Sequence, residues 1–154
     1  MVRKKIIPVL LSMFLVGLSL ADENWTDDGS FVQSDDEAHD QTYSAFVAGS
    51  GGGGSSGDLI TPDLDCSGAT QISIEFYVYD KDADDGEFYV DYYDGTSWDQ
   101  ISRLDDLGNK AWVVYSDTTT DSQYFKSDFK LRFRVVSLDG GEKAFVDYVT
   151  VMKQ

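Results

Sequence analysis

One cysteine, Cys66, stands in the whole chain, and a lone thiol excludes a disulfide within it. Its setting, Leu64-Asp-Cys-Ser-Gly68, reads as an apolar position where a buried thiol acts as a small hydrophobe. Histidine is equally scarce. His39 alone cannot build a multi-imidazole zinc site, and its isolation removes the usual proton shuttle of Ser/His and Cys/His enzymes. Flanked by Asp35-Asp-Glu-Ala and Asp40, it is expected to be a solvated loop residue. Positive charge is short too: 12 Lys and Arg stand against 28 Asp and Glu, a net charge of −16. A phosphate backbone needs clustered cations, so nucleic acid is excluded as a partner and an anionic membrane surface is disfavoured. The acidity suits divalent cations, or simply solubility.

Long apolar runs are absent except at the start. Arg3, Lys4 and Lys5 precede the run Ile6 to Leu20, and Ser19-Leu20-Ala21 offers the small residues read by a signal peptidase. Residues 1–21 are therefore expected to be a cleaved signal peptide. The run is shorter than the roughly 20 residues of a spanning helix, so no membrane insertion is expected. The product is expected outside the cytoplasm, secreted, extracellular or periplasmic. Residues 22–154 are enough for one domain with a core, and losing the three leader cations takes the charge to −19.

After the leader no sustained 3.6-residue apolar period occurs. Instead Gly, Asp, Ser and Thr clusters recur every eight to twelve residues, which predicts an all-β antiparallel sandwich. The expected strands are Ser30–Ser34, Thr42–Ala48, Gly57–Leu64, Gln71–Tyr79, Glu87–Asp94, Trp98–Leu104, Ala111–Ser116, Phe129–Val136 and Lys143–Met152. The Gly/Ser tract 49–57 has linker composition, but residues 22–48 are too short and polar to bury a core alone. It is expected to be a flexible loop within the one domain.

Alternation also assigns faces. Phe129, Leu131, Phe133 and Val135 share one, with Lys130, Arg132 and Arg134 opposite. A hairpin of Gln71–Tyr79 on Glu87–Asp94 would pair Ile74 with Tyr92, Phe76 with Val90 and Val78 with Phe88 inward. Outward it would set Tyr77 against Tyr89 and Glu75 against Asp91, a like-charge pair that calls for a cation beside it. In Ala144–Val151, strict alternation puts Asp147 on the face of Phe145, Val149 and Val151. A carboxylate facing a core needs a cation or hydrogen-bond donors.

Several strings then resemble secreted jelly-roll domains of the carbohydrate-binding-module and MAM-like type. They are Gly57-Asp-Leu-Ile-Thr-Pro-Asp-Leu-Asp-Cys-Ser-Gly68, Asp85–Gly95, Ser97-Trp-Asp99, Ser127–Arg134 and Phe145–Val151. Asn24–Ser30 and Ala38–Tyr43 look like the opening strand and its turn, so the likeness spans most of 24–151. Gln41 stands where the family usually has Gly. The resemblance implies a jelly-roll order that places the Phe129–Val135 strand beside Gln71–Tyr79, and so sets Arg132 and Arg134 beside Glu75 and Asp91. It also implies a structural calcium ion held by Asp147, with Asp22 or Glu23 and main-chain oxygens of Gln41 or Thr42.

The expected ligand face carries Tyr77, Tyr79, Tyr89 and Tyr93 with Glu75, Asp91, Arg132 and Arg134. Flat rings suit the C–H faces of sugars, and adjacent charged groups suit their hydroxyls. The loop Asp80-Lys-Asp-Ala-Asp-Asp-Gly-Glu87 resembles a calcium loop only loosely, its Gly falling one position late. No nucleophile elbow, phosphate loop or histidine metal set is present, so no enzyme is expected. The expected function is non-catalytic binding of a polysaccharide or glycan. The alternative is a structural or adhesive surface protein that binds another protein or its own copies.

Overall fold

The computed structural model describes residues 12–16, 25–28, 30–39 and 43–154. In chain order its strands are β1 (Ser12–Val16), β2 (Thr26–Asp27), β3 (Val32–Ser34), β4 (Ser44–Ala48), β5 (Ser55–Ile60) and β6 (Ile72–Lys81). They continue as β7 (Phe88–Tyr93), β8 (Trp98–Arg103), β9 (Trp112–Thr119), β10 (Lys130–Leu138) and β11 (Lys143–Lys153). The only helical element among the described residues is a 3₁₀ turn at Ser122–Tyr124. Two antiparallel sheets result, one in the order β3-β4-β11-β6-β9 with β1 on β11, the other β2-β5-β10-β7-β8. We call them the β6 sheet and the β7 sheet.

Alternating side chains fill the space between them. Ile72, Ile74, Phe76 and Val78 from β6 meet Phe88, Val90 and Tyr92 from β7 and Leu131, Phe133 and Val135 from β10, all buried. Phe76 and Phe133 touch edge to face across the gap, their centroids 4.8 Å apart. Tyr92 is buried as well, and its hydroxyl crosses to the other sheet to donate to Asp117 Oδ2 at 2.7 Å. Burial and that acceptor both push its pKa up. Cys66 joins this core, and burial lifts its thiol pKa to about 11.

The expected hairpin does not form. β6 pairs with β11 and β9, and β7 with β10 and β8, so the two strands lie in opposite sheets. Their apolar rows pack face to face instead of edge to edge. Alternation fixes which side chains point inward but is blind to whether two apolar rows are neighbours in one sheet or partners across a core. The segment 82–87 therefore carries the chain from one sheet to the other.

β11 also departs from simple alternation. A β-bulge between Asp147 and Thr150, with Tyr148 at φ 51°, shifts the phase by one residue. Ala144 and Val146 point inward before it, and Val149 and Val151 after it. Phe145 and Asp147 consequently lie on the outer face of the β6 sheet, opposite Tyr79 and Tyr77. Both are nevertheless 0 % exposed. Asp147 is buried as expected, but away from the inter-sheet core and not in it.

The Gly/Ser tract leads from β4 in one sheet to β5 in the other. Gly49 shows why a small residue is needed there: its amide donates to Glu142 O at 2.8 Å, and a Cβ would collide with the Asp139 carbonyl. The expected leader 1–21 lies mostly outside the described residues; its segment Ser12–Val16 pairs along β11 from Val149 to Lys153. Among the described residues no helix is long and apolar enough to cross a membrane.

Candidate ligand-binding face

The outer face of the β7 sheet is assembled by register alone. Residues two apart along each strand point the same way, and pairing sets them in transverse rows. Asp58, Arg134, Tyr89 and Arg103 make one row; Ile60, Arg132, Asp91 and Gln100 the next; Lys130, Tyr93 and Trp98 the third. From Tyr89 to Tyr93 is four residues of extended strand, about 13 Å.

Charge and aromatic surface interlock here. Asp91, 1 % exposed, accepts from Arg132 Nε at 2.8 Å, Arg134 Nε at 2.8 Å and Arg134 Nη2 at 3.2 Å. Arg132 also reaches Asp58 at 3.2 Å, and Lys130 reaches Asp63 at 2.9 Å. Hydrogen bonding to Asp91 pushes the Arg134 pKa up, outweighing its desolvation. Each of these cations also lies over a ring: Arg132 over Trp98 at 4.5 Å, Arg134 over Tyr89 at 4.2 Å, Lys130 over Tyr93 at 5.1 Å. Tyr93 and Trp98 pack on each other with centroids 5.1 Å apart. The rings are thus held in place by guanidinium and ammonium groups that are themselves anchored to carboxylates. Pre-set rings beside fixed donors and acceptors can receive a flat hydroxylated molecule without ordering costs at each side chain.

Of the expected ligand residues, Tyr89, Tyr93, Asp91, Arg132 and Arg134 come together on this face. Tyr77, Tyr79 and Glu75 lie on the opposite side of the molecule, on the outer face of the β6 sheet. Tyr77 is stacked there on His39, centroids 3.5 Å apart; His39 is an exposed loop residue as its sequence setting suggests, with one ring face on Tyr77. Glu75 lies opposite Ser116 and Thr150 and not opposite Asp91; Arg132 and Arg134 serve Asp91 alone of the two acids. Trp98, Gln100 and Lys130 complete the face; the expected ligand set lacks them, although alternation places Lys130 with Arg132 and Arg134. The readable signal was Trp98 itself, in a strand whose weak alternation hid the direction of its side chain.

Asp147 Oδ2 accepts the backbone amide of His39 at 2.8 Å, and Oδ1 that of Tyr148 at 2.7 Å. The other expected calcium ligands, Asp22, Glu23, Gln41 and Thr42, lie outside the described residues. A carboxylate offers hard, acceptor-only oxygens of the kind calcium takes as ligands. The donor chemistry of Asp147 therefore fits calcium. In the 80–87 loop four of the five acids are already partnered. Asp80 accepts from Ala83 N at 2.9 Å, Asp82 pairs with Lys110 at 2.6 Å, Glu87 accepts from Asp84 N at 2.7 Å and Asp85 pairs with Arg103 at 3.1 Å. Among the described residues no three metal-ligating side chains converge.

No protein-family model matches the sequence, and no curated protein matches it significantly. Solved structures do match. A family 16 carbohydrate-binding module aligns with a TM-score of 0.59 at 15 % identity, over 82 % of this chain and 89 % of that one. A family 61 module in complex with β-1,4-galactotriose gives 0.58 at 11 % identity, over 85 % and 89 %. The C-terminal family 6 module of a marine laminarinase from Zobellia galactanivorans gives 0.55 at 14 % identity, over 93 % and 99 %. The fold is that of carbohydrate-binding modules. At such identities the likeness is one of architecture, so the carbohydrate-binding-module fold leaves function to be argued from the faces of this chain.

Proposed function

We propose that the protein is a non-catalytic carbohydrate-binding domain that takes a neutral polysaccharide chain along the outer face of the β7 sheet. The observation that carries this reading is the triad of cation-capped rings, Tyr89, Tyr93 and Trp98, around Asp91 held by two arginines. Sugar rings would stack on the aromatic surfaces, and Gln100, Arg132, Arg134 and Asp58 would bond the hydroxyls. The cations of the face are matched by Asp58, Asp63 and Asp91, which favours an uncharged ligand. The net charge of −16 adds a general repulsion of polyanions.

This reading extends to export from the cytoplasm, from the basic and apolar start of the chain, and to a structural calcium ion. Asp147 would hold that ion with oxygens from the segments around Asp22, Glu23, Gln41 and Thr42. Its role would be to tie the outer face of the last strand to the amino-terminal segment, with no part in chemistry. The test of the main reading is a glycan array probed with the protein. Binding to neutral polysaccharides, lost on Trp98→Ala, is expected; a folded protein that binds no glycan on the array contradicts it.

A further inference from the structure

The other side of the sandwich carries a second row that the proposed function does not use. Val32, Phe46, Phe145, Tyr79 and Trp112 are successive partners across all five strands from β3 to β9. The rings touch one another: Phe46 and Phe145 at 4.8 Å, Tyr79 and Phe145 at 5.4 Å, Tyr79 and Trp112 at 5.6 Å. Beside them opens a cleft of about 310 Å³, lined by Asp36, Glu37, Tyr79, Lys81, Lys143 and Phe145. That volume falls at the small end of ligand pockets.

Lys81 and Lys143 are direct partners across β6 and β11, on the same side of the sheet. Like charges placed opposite each other in a sheet are destabilising, with Cβ atoms only about 5 Å apart. Lys143 is partly relieved by Asp36 at 3.9 Å and by the Phe46 ring at 5.3 Å. Lys81 makes no ion pair among the described residues and reaches Asp82 only through its field. Two ammonium groups so placed, at the mouth of an aromatic-floored cleft, form a seat for one anionic group. Of the two acids in the cleft, Asp36 is committed to Lys143 and neither pairs with Lys81, and the protein's negative charges beyond about 8–10 Å are largely screened.

We propose that this cleft is a second site, for a sugar unit bearing an anionic group. The ring of the sugar lies on Tyr79, its acid group sits between Lys81 and Lys143, and Asp36 and Glu37 accept from its hydroxyls. The site is independent of the β7-sheet face, on the far side of the molecule, and differs from it in charge preference.

Isothermal titration with trimers of β-1,4-linked glucuronate, of glucose and of a sulfated glucose tests it. Glucuronate binding is expected to weaken at least tenfold in Lys81→Gln and in Lys143→Gln and to be unchanged in Trp98→Ala. Without ligand, Lys81→Gln should melt no lower than the parent, since it removes a repulsion and breaks no ion pair among the described residues. A sulfated trimer that binds with the same lysine dependence supports the site as one for anionic sugars at large. Absent glucuronate binding by the folded protein, or binding that survives both lysine substitutions, overturns the proposal. So does loss of glucuronate binding in Trp98→Ala, whereas loss of the glucose trimer alone in that variant concerns only the β7-sheet face.

Discussion

Asp91 and Arg134 are joined by two hydrogen bonds, Nε to Oδ2 at 2.8 Å and Nη2 to Oδ1 at 3.2 Å, on the outer face of the β7 sheet. Arg132 shares the same carboxylate. Asp91→Ala would leave both guanidinium groups without their central acceptor and free them from the rings they cover. We expect a loss of about 2 kcal/mol in unfolding free energy by urea titration. Binding of a neutral polysaccharide should fall at least tenfold in the same variant. Asp91→Asn, which keeps one acceptor oxygen, should lie between the two.

Asp80 gives a pH signature. It is 2 % exposed, and burial pushes its pKa from 3.8 to about 6, with Asp105, Asp82 and Glu142 adding repulsion against the bond from Ala83. The folded state thus holds this proton more tightly than the unfolded chain. Its contribution to stability is fully present below about pH 4 and is lost as the pH rises through about 6. Asp80→Asn should therefore raise the melting temperature at pH 7.5, by a free energy on the order of 2 kcal/mol, and change it little at pH 4. An equal effect at both pH values would show that the carboxyl is not the strained group.

A calcium ion at Asp147 should stabilise the folded state only while bound. Chelation is expected to lower the melting temperature by several degrees, since a ligand at 100 times its dissociation constant contributes about 2.7 kcal/mol. In Asp147→Asn the difference between chelated and calcium-loaded protein should vanish. A parent protein that melts at one temperature with and without calcium removes the ion from the account.

Much of the fold was legible because alternation is a direct imprint of a two-faced strand. The apolar rows of β6, β7 and β10 were readable residue by residue, and each is buried. Pairing was not legible. Nothing in the patterns Ile72-Ser-Ile74 or Phe88-Tyr-Val90 says whether two rows adjoin edgewise or meet across a core, and so Tyr77 and Tyr79 were grouped with Tyr89 and Tyr93. The bulge at Tyr148 was hidden for a related reason: a single residue at φ 51° reverses the facing of all that precede it, without an apolar or polar mark in the sequence. Arg132 and Arg134 do lie beside Asp91, but by another neighbour: the expected order set the Phe129–Val135 strand beside Gln71–Tyr79, whereas β10 pairs with β7 and β5. Trp98 escaped because its strand, half-buried along nearly its whole length, carries no clear period.

The central claim is that ligand recognition belongs to the β7-sheet face and not to the tyrosines of the β6 sheet. Titration of a neutral oligosaccharide chosen from the array into Trp98→Ala and Tyr77→Ala decides it. The account predicts a loss of at least tenfold in affinity for Trp98→Ala and an unchanged value for Tyr77→Ala. Full affinity in Trp98→Ala, with loss in Tyr77→Ala, would contradict it.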